Sequence, residues 1–200
     1  MIEAAAHGFV TGLSLILAIG AQNSFVLRQG IRREHVGAVV ALCAVSDAIL
    51  IACGVAGFGA ATAALPWIVP VMRWFGVAFL AWYGAKPFMA ARAGGEALMP
   101  SADAPTPLGR VVATIAVLTW ANPHVYLDTM VLLGSISAQY APSEAAFGVG
   151  AALSSLTFFA ALGYGARLLA PLFAKPKAWV VLEVVVGVTM WSIALTLALG

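Results

Sequence analysis

The sequence has 200 residues, of which 62% are hydrophobic and only 9% charged, and its formal net charge is +2. A soluble domain carries about 25% charged residues, so this composition excludes a water-exposed surface over most of the chain and points to lipid as its solvent. The small, dispersed positive charge also excludes a nucleic-acid partner.

Runs of about 20 apolar residues, the length that crosses hydrocarbon, predict an all-α integral membrane protein of about six transmembrane helices. The first run is Ala4–Leu27. No Lys or Arg precedes it, Arg28 being the first, so it lacks the basic start of a cleavable signal and is expected to stay as a membrane helix. Five spans result instead if this run does not fully insert. Its stretch Gly20-Ala-Gln-Asn-Ser-Phe25 sets the amides of Gln22 and Asn23 beside Gly20, a weak point in a helix. Such amides either glue helices together or line a site.

After the charged turn Gly30–His35, the second run, Val36–Ala63, carries Asp47 about 18 Å above His35 at the helical rise, close to mid-membrane. Cys43 and Cys53 share this run without a CxxC spacing and read as buried small hydrophobes. Leu65-Pro66 is a turn, and the third run, Trp67–Ala90, holds Arg73 about 9 Å below the surface that Trp67 anchors. Charges at such depth cost about 2.5–3.5 kcal/mol each on insertion scales. An Asp47–Arg73 ion pair is therefore expected, as a gating pair in a polar cavity or as a static clamp between helices.

The interval from Arg92 to Arg110, with Gly94, Gly95, Pro100, Pro105 and Pro107, reads as a linker between two halves, residues 1–90 and 111–200. The fourth run, Val111–Ala138, contains Thr119-Trp-Ala-Asn-Pro-His-Val-Tyr-Leu-Asp-Thr129. Pro123 has no N–H to donate and crowds the carbonyl of Thr119, a break that lipid tolerates only beside protein or a water-filled cavity. His124 and Asp128 are four residues apart on one helix face, which fits a His–Asp hydrogen bond lining a site and, with two ligands only, not a metal centre. The competing reading is a plain proline kink with a satisfied histidine. The fifth run is Ala145–Leu172 and the sixth, after Lys175-Pro176-Lys177, is Trp179–Leu199. Glu183 near the start of the sixth is expected to snorkel to the interface or to pair with Lys177.

Nine of the ten basic residues lie on three connections: Arg28, Arg32 and Arg33; Lys86, Arg92 and Arg110; Arg167, Lys175 and Lys177. The positive-inside rule puts those connections in the cytoplasm and both termini outside. Three spans per half then run in opposite directions. Both halves open with a polar, helix-weakening stretch, and Ser46-Asp47 and Gly76-Val77 find echoes in Ser154-Ser155 and Gly187-Val188. Interrupted helices at matching places in inverted repeats mark a transporter site.

Gly20-Ala-Gln-Asn-Ser-Phe-Val-Leu-Arg-Gln-Gly-Ile-Arg-Arg33, Cys43-Ala-Val-Ser-Asp-Ala-Ile-Leu-Ile51, Gly76-Val-Ala-Phe-Leu-Ala-Trp-Tyr-Gly84 and Asn122-Pro-His-Val-Tyr-Leu-Asp-Thr129 resemble the lysine/arginine exporter (LysE/ArgO) family over nearly the whole chain. The run Asn122–Thr129 is its most specific piece, because the related neutral amino-acid exporters usually lack the His and the Tyr-Leu-Asp there. The resemblance implies a bacterial inner-membrane carrier that exports L-arginine, L-lysine or analogues such as canavanine. It carries the family's intramembrane Asp and Arg over to Asp47 and Arg73, and its fourth-span residues to Asn122, Pro123 and Asp128. Ala21, often Pro in the family, is a minor departure.

Moving a cation out against an inside-negative potential costs about 2.3 kcal/mol per 100 mV, so export needs coupling, and inward proton movement can supply it. A carboxylate that binds either a proton or a cation gives such exchange directly. Asp47 is the first choice and Asp128 the second, with His124 as a relay and Gln22, Asn23, Asn122 and Tyr126 completing the substrate site. No cofactor is implied, the partners are basic amino acids, protons and lipid, and monomer and homodimer both stay open. An exporter of neutral amino acids is the alternative; an intramembrane enzyme is disfavoured because no Ser–His, CxxC or three-ligand set can be assembled, and a structural helical subunit leaves the buried charges unexplained.

Overall fold

The computed structural model describes residues 1–17, 20–58, 64, 67–92, 94 and 106–199, and among these there are helices and turns but no strand. The helices are α1 (Ile2–Ile16), α2 (Ala21–Arg32), α3 (Val36–Cys53), α4 (Ile68–Arg92), α5 (Leu108–Trp120), α6 (Pro123–Tyr126), α7 (Leu133–Ser137), α8 (Glu144–Gly165), α9 (Ala170–Phe173) and α10 (Pro176–Leu199). Beyond α3 the chain kinks within Gly54–Phe58, where Gly57 has a positive φ of 124°, and wider π-helical turns join α6 to α7 over Leu127–Leu132. Each predicted run therefore coincides with a helix or a broken helix. The end of the second run, the Leu65-Pro66 turn and most of the 91–110 linker lie outside the described residues.

Among the described residues three stretches are by themselves long and apolar enough to cross a membrane: Val36–Gly57, Glu144–Phe173 and Pro176–Thr196. The pair α1 and α2, bent by 86°, adds a fourth if it counts as one span. The outer faces of the long helices carry exposed apolar side chains, among them Val45, Trp82, Val149 and Leu195. A helix that is apolar all round needs lipid on the face that protein does not cover.

Close backbone approach sets the packing. In lipid there is little hydrophobic drive between helices, so small residues that admit a second backbone take its place. A Cβ at Gly8 of α1 would land on the Phe147 carbonyl of α8, and one at Gly150 of α8 on the Ala5 carbonyl of α1. That contact is reciprocal, and it seats α1 along α8. α8 also packs on α3, α3 on α5, and α4 on α10. Buried apolar clusters fill the joints: Val26, Val39, Cys43, Ile115 and Phe159 on one side, and Leu80, Trp179, Leu182, Val186 and Met190 on the other.

Both interrupted helices occur where the polar stretches predicted them. At the first break, between α1 and α2, the Asn23 side-chain amide donates to the Ile16 carbonyl (2.9 Å), which the end of α1 leaves without a helical partner. The Ser24 hydroxyl donates to the Gly20 carbonyl (3.0 Å). At the second break, Asn122 caps α6 by accepting from the His124 N–H (3.1 Å), and Pro123 occupies the first helical position, where no N–H is needed. The Trp120 carbonyl, which would have received His124 in an unbroken helix, takes the Tyr126 hydroxyl instead (2.7 Å). Backbone groups freed in lipid are re-satisfied by nearby side chains, so the breaks are stable features.

Candidate functional site

The two breaks face each other across one cavity of about 110 Å³, room for several waters or a small solute. Its polar lining comes from α2 and the residue before it (Gly20, Gln22, Asn23), from α3 (Asp47), from the second break (Asn122, His124, Asp128) and from α8 (Ser154, Ser155). Leu80, Ile51, Phe159 and Met190 supply apolar walls. Asp47 is 5% exposed, and its carboxylate accepts from the Ser155 hydroxyl at 2.7 Å. Ser46 beside it accepts from the Trp120 indole N–H at 3.0 Å, which ties α3 to the end of α5 just before the second break. His124 Nε2 and an Asp128 carboxylate oxygen lie 3.2 Å apart, as their spacing predicts.

The structure thus brings Gln22, Asn23, Asp47, Asn122, His124 and Asp128 together, with the helix-break residue Gly20 among the lining residues and Pro123 between two of them. Two expected residues stand elsewhere. Tyr126 does not line the cavity; its hydroxyl is committed to the Trp120 carbonyl. Arg73 donates to the Ala198 carbonyl at 3.0 Å and lies over the Trp74 ring, while Asp47 is met by Ser155, so the ion pair expected between them is not among the described contacts. The last carbonyls of α10 lack helical partners and attract a donor. Depth along two separate helices could not reveal that competitor. Glu183 also departs from expectation. It is 3% exposed and paired with Arg28 of α2, not with Lys177.

Chemically, the cavity offers two carboxylates to a cation and one helix start to an anion. α2 begins at this cavity, with Gly20, Ala21, Gln22 and Asn23 among the lining residues, and the positive end of a helix favours a carboxylate ligand. Among the described residues no three His, Cys, Asp or Glu side chains converge as metal ligands would.

Residues 13–200 match the family model described as LysE type translocator. The chain belongs to the LysE family. A protein of Mycobacterium bovis named as an amino-acid transporter is 46% identical over 184 residues, 91% of this chain and 90% of its own. Proteins named arginine exporter ArgO are similarly close. That of Serratia proteamaculans is 41% identical over 199 residues, 99% of this chain and 97% of its own, and that of Salmonella paratyphi A is 39% identical over 199 residues, 99% and 94%. No solved structure matches the chain. As a LysE-family member with several apolar helices, the protein is a multi-pass component of the bacterial inner membrane.

Proposed function

We propose that this LysE-family protein is a secondary-active efflux carrier for basic amino acids, arginine first, with lysine and analogues such as canavanine as further substrates. The observation that carries the reading is the meeting of two carboxylates and the start of α2 in a single cavity at two helix breaks. An amino acid with a cationic side chain presents a carboxylate at one end and a guanidinium or ammonium at the other. The start of α2 receives the carboxylate, and Asp47 receives the distal cation. A neutral amino acid would leave the Asp47 charge uncompensated at depth, which is costly. The similarity to arginine exporters over 99% of the chain supports the same substrate class.

Coupling follows from the same carboxylates. Asp47 holds a proton or a substrate cation, never both, so each outward cation leaves room for an inward proton. Asp128, in contact with His124, forms the relay by which that proton leaves the cavity. In cells loaded with labelled amino acid, production of the protein is expected to speed arginine efflux and leave leucine efflux unchanged, and a protonophore should abolish the gain. Faster leucine efflux instead would establish the neutral-exporter reading.

The architecture proposed for this carrier is six spans in two inverted repeats, residues 1–90 and 111–200, joined by a cytoplasmic linker at 91–110, with both termini outside. Helix packing supports it. Exchanging the halves maps the α1–α8 contact onto the α5–α3 contact, and maps the α3–α8 and α4–α10 contacts onto themselves. The Asp47–Ser155 hydrogen bond joins the echoed Ser46-Asp47 and Ser154-Ser155 positions across that exchange. Reporter fusions after Arg33 and after Lys177 should read cytoplasm and one at Gly200 the outside; a cytoplasmic C-terminus removes the six-span arrangement.

A further inference from the structure

A second chamber, of about 200 Å³, sits beside the main cavity on the side that the basic connections mark as cytoplasmic. Its polar lining is Ser24, Arg28, Lys86, Thr114 and Glu183. Three helices carry both chambers. On α2, Gln22 and Asn23 line the first, Ser24 and Arg28 the second, and Ala21 lines both. On α4, Leu80 lines the first and Lys86 and Pro87 the second. On α10, Glu183, Val186, Met190 and Ile193 recur at three- and four-residue steps along one face, from the second chamber to the first. Glu183 lies about 10 Å along the helix axis from Met190. The chambers are neighbours that share Ala21, and the Arg28–Glu183 ion pair stands in the second.

The two partners are buried unequally. The Glu183 side chain is 4% exposed and that of Arg28 34%, with the Arg28 guanidinium 5.9 Å from the Trp179 ring centre. Arg28 can swing toward water on its long stem at small cost, whereas Glu183 cannot leave and always needs a cation beside it. Lys86, the other cation of the chamber, lies 4.4 Å from the Trp82 ring centre. We infer that the two chambers form one route from the cytoplasm, that Arg28 and Glu183 are its gate, and that Glu183 is the first acceptor for the cationic end of an incoming solute, which takes the place of Arg28. This rests on the export reading for the identity of the solute, and it adds a binding residue outside the main cavity.

The test uses the full-length chain in inside-out vesicles, with Cys43→Ala and Cys53→Ala removing the native thiols and Ala21→Cys as reporter between the chambers. Cationic and anionic methanethiosulfonate reagents that do not cross membranes are added on the cytoplasmic face. Arg28→Ala/Glu183→Ala removes the pair without leaving a lone buried charge, and it should speed labelling by both reagents about tenfold. Arg28→Ala alone should favour the cationic reagent about tenfold over the anionic one, because Glu183 then attracts it. Parental labelling rates in the double variant overturn the gate and make the pair a static clamp. Equal rates for the two reagents in Arg28→Ala overturn Glu183 as acceptor, and where that variant does not insert, Arg28→Gln carries the same comparison. None of these readings uses arginine, so labelling as expected beside unsubstituted protein that transports no arginine would remove the export reading and leave the gate standing.

Discussion

Asp47→Asn is expected to insert at the parental level and to lose arginine efflux by about a hundredfold or more, the scale set by removing one partner of a buried charge interaction. The side-chain carbonyl of Asn can still accept the Ser155 hydroxyl, which is 2.7 Å from the Asp47 carboxylate, so the α3–α8 contact survives and only the charge is lost. Ser155→Ala is the matched control. It deletes one hydrogen bond to a charged group, worth about 1.5–3 kcal/mol, and should weaken efflux by about tenfold while leaving proton-coupled exchange in place. Efflux of preloaded arginine, normalised to protein in the membrane, checks both. Parental efflux by Asp47→Asn would end its role as the exchanging carboxylate and pass that role to Asp128.

The sequence discloses most of the helical plan because each element rests on a local signal. Apolar runs of bilayer length mark the helices, and Gly20 with Gln22 and Asn23, and Asn122 with Pro123, mark the two breaks. The His124–Asp128 contact is also local, since a four-residue step fixes which side chains share a face. Contacts between helices are another matter. Ser155 shows in the sequence only as an echo of Asp47's neighbourhood, and that it bonds Asp47 depends on how α3 and α8 are rotated against each other. The same holds for Arg28 and Glu183, 155 positions apart in the chain and paired only because α2 and α10 meet. For Arg73, depth alone proposes a partner on another helix, whereas its hydrogen bond to the Ala198 carbonyl depends on where the end of α10 lies. Tyr126 stands within the most specific motif, yet its hydroxyl serves the Trp120 carbonyl and so holds the break rather than the cavity.

Asn122 has two duties at the second break, and two substitutions separate them. Its side-chain oxygen accepts the His124 N–H and starts α6, while the residue also lines the cavity across from α2. Asn122→Leu removes both functions. Loss of the cap costs about 1 kcal/mol, enough to lower thermal stability measurably in detergent, and loss of the amide should abolish arginine efflux. Asn122→Asp keeps a good cap, so its stability should match the parent's. It removes the side-chain N–H donors and adds a negative charge to a cavity that already holds Asp47 and Asp128. A third carboxylate should hold a cationic substrate more tightly and release it more slowly, so arginine binding persists while efflux falls about tenfold or more. Thermal stability, arginine binding and efflux measured on both variants decide the matter. Parental efflux by Asn122→Asp would reduce Asn122 to a helix cap, and the breaks would then shape the cavity without contributing this side chain to the substrate.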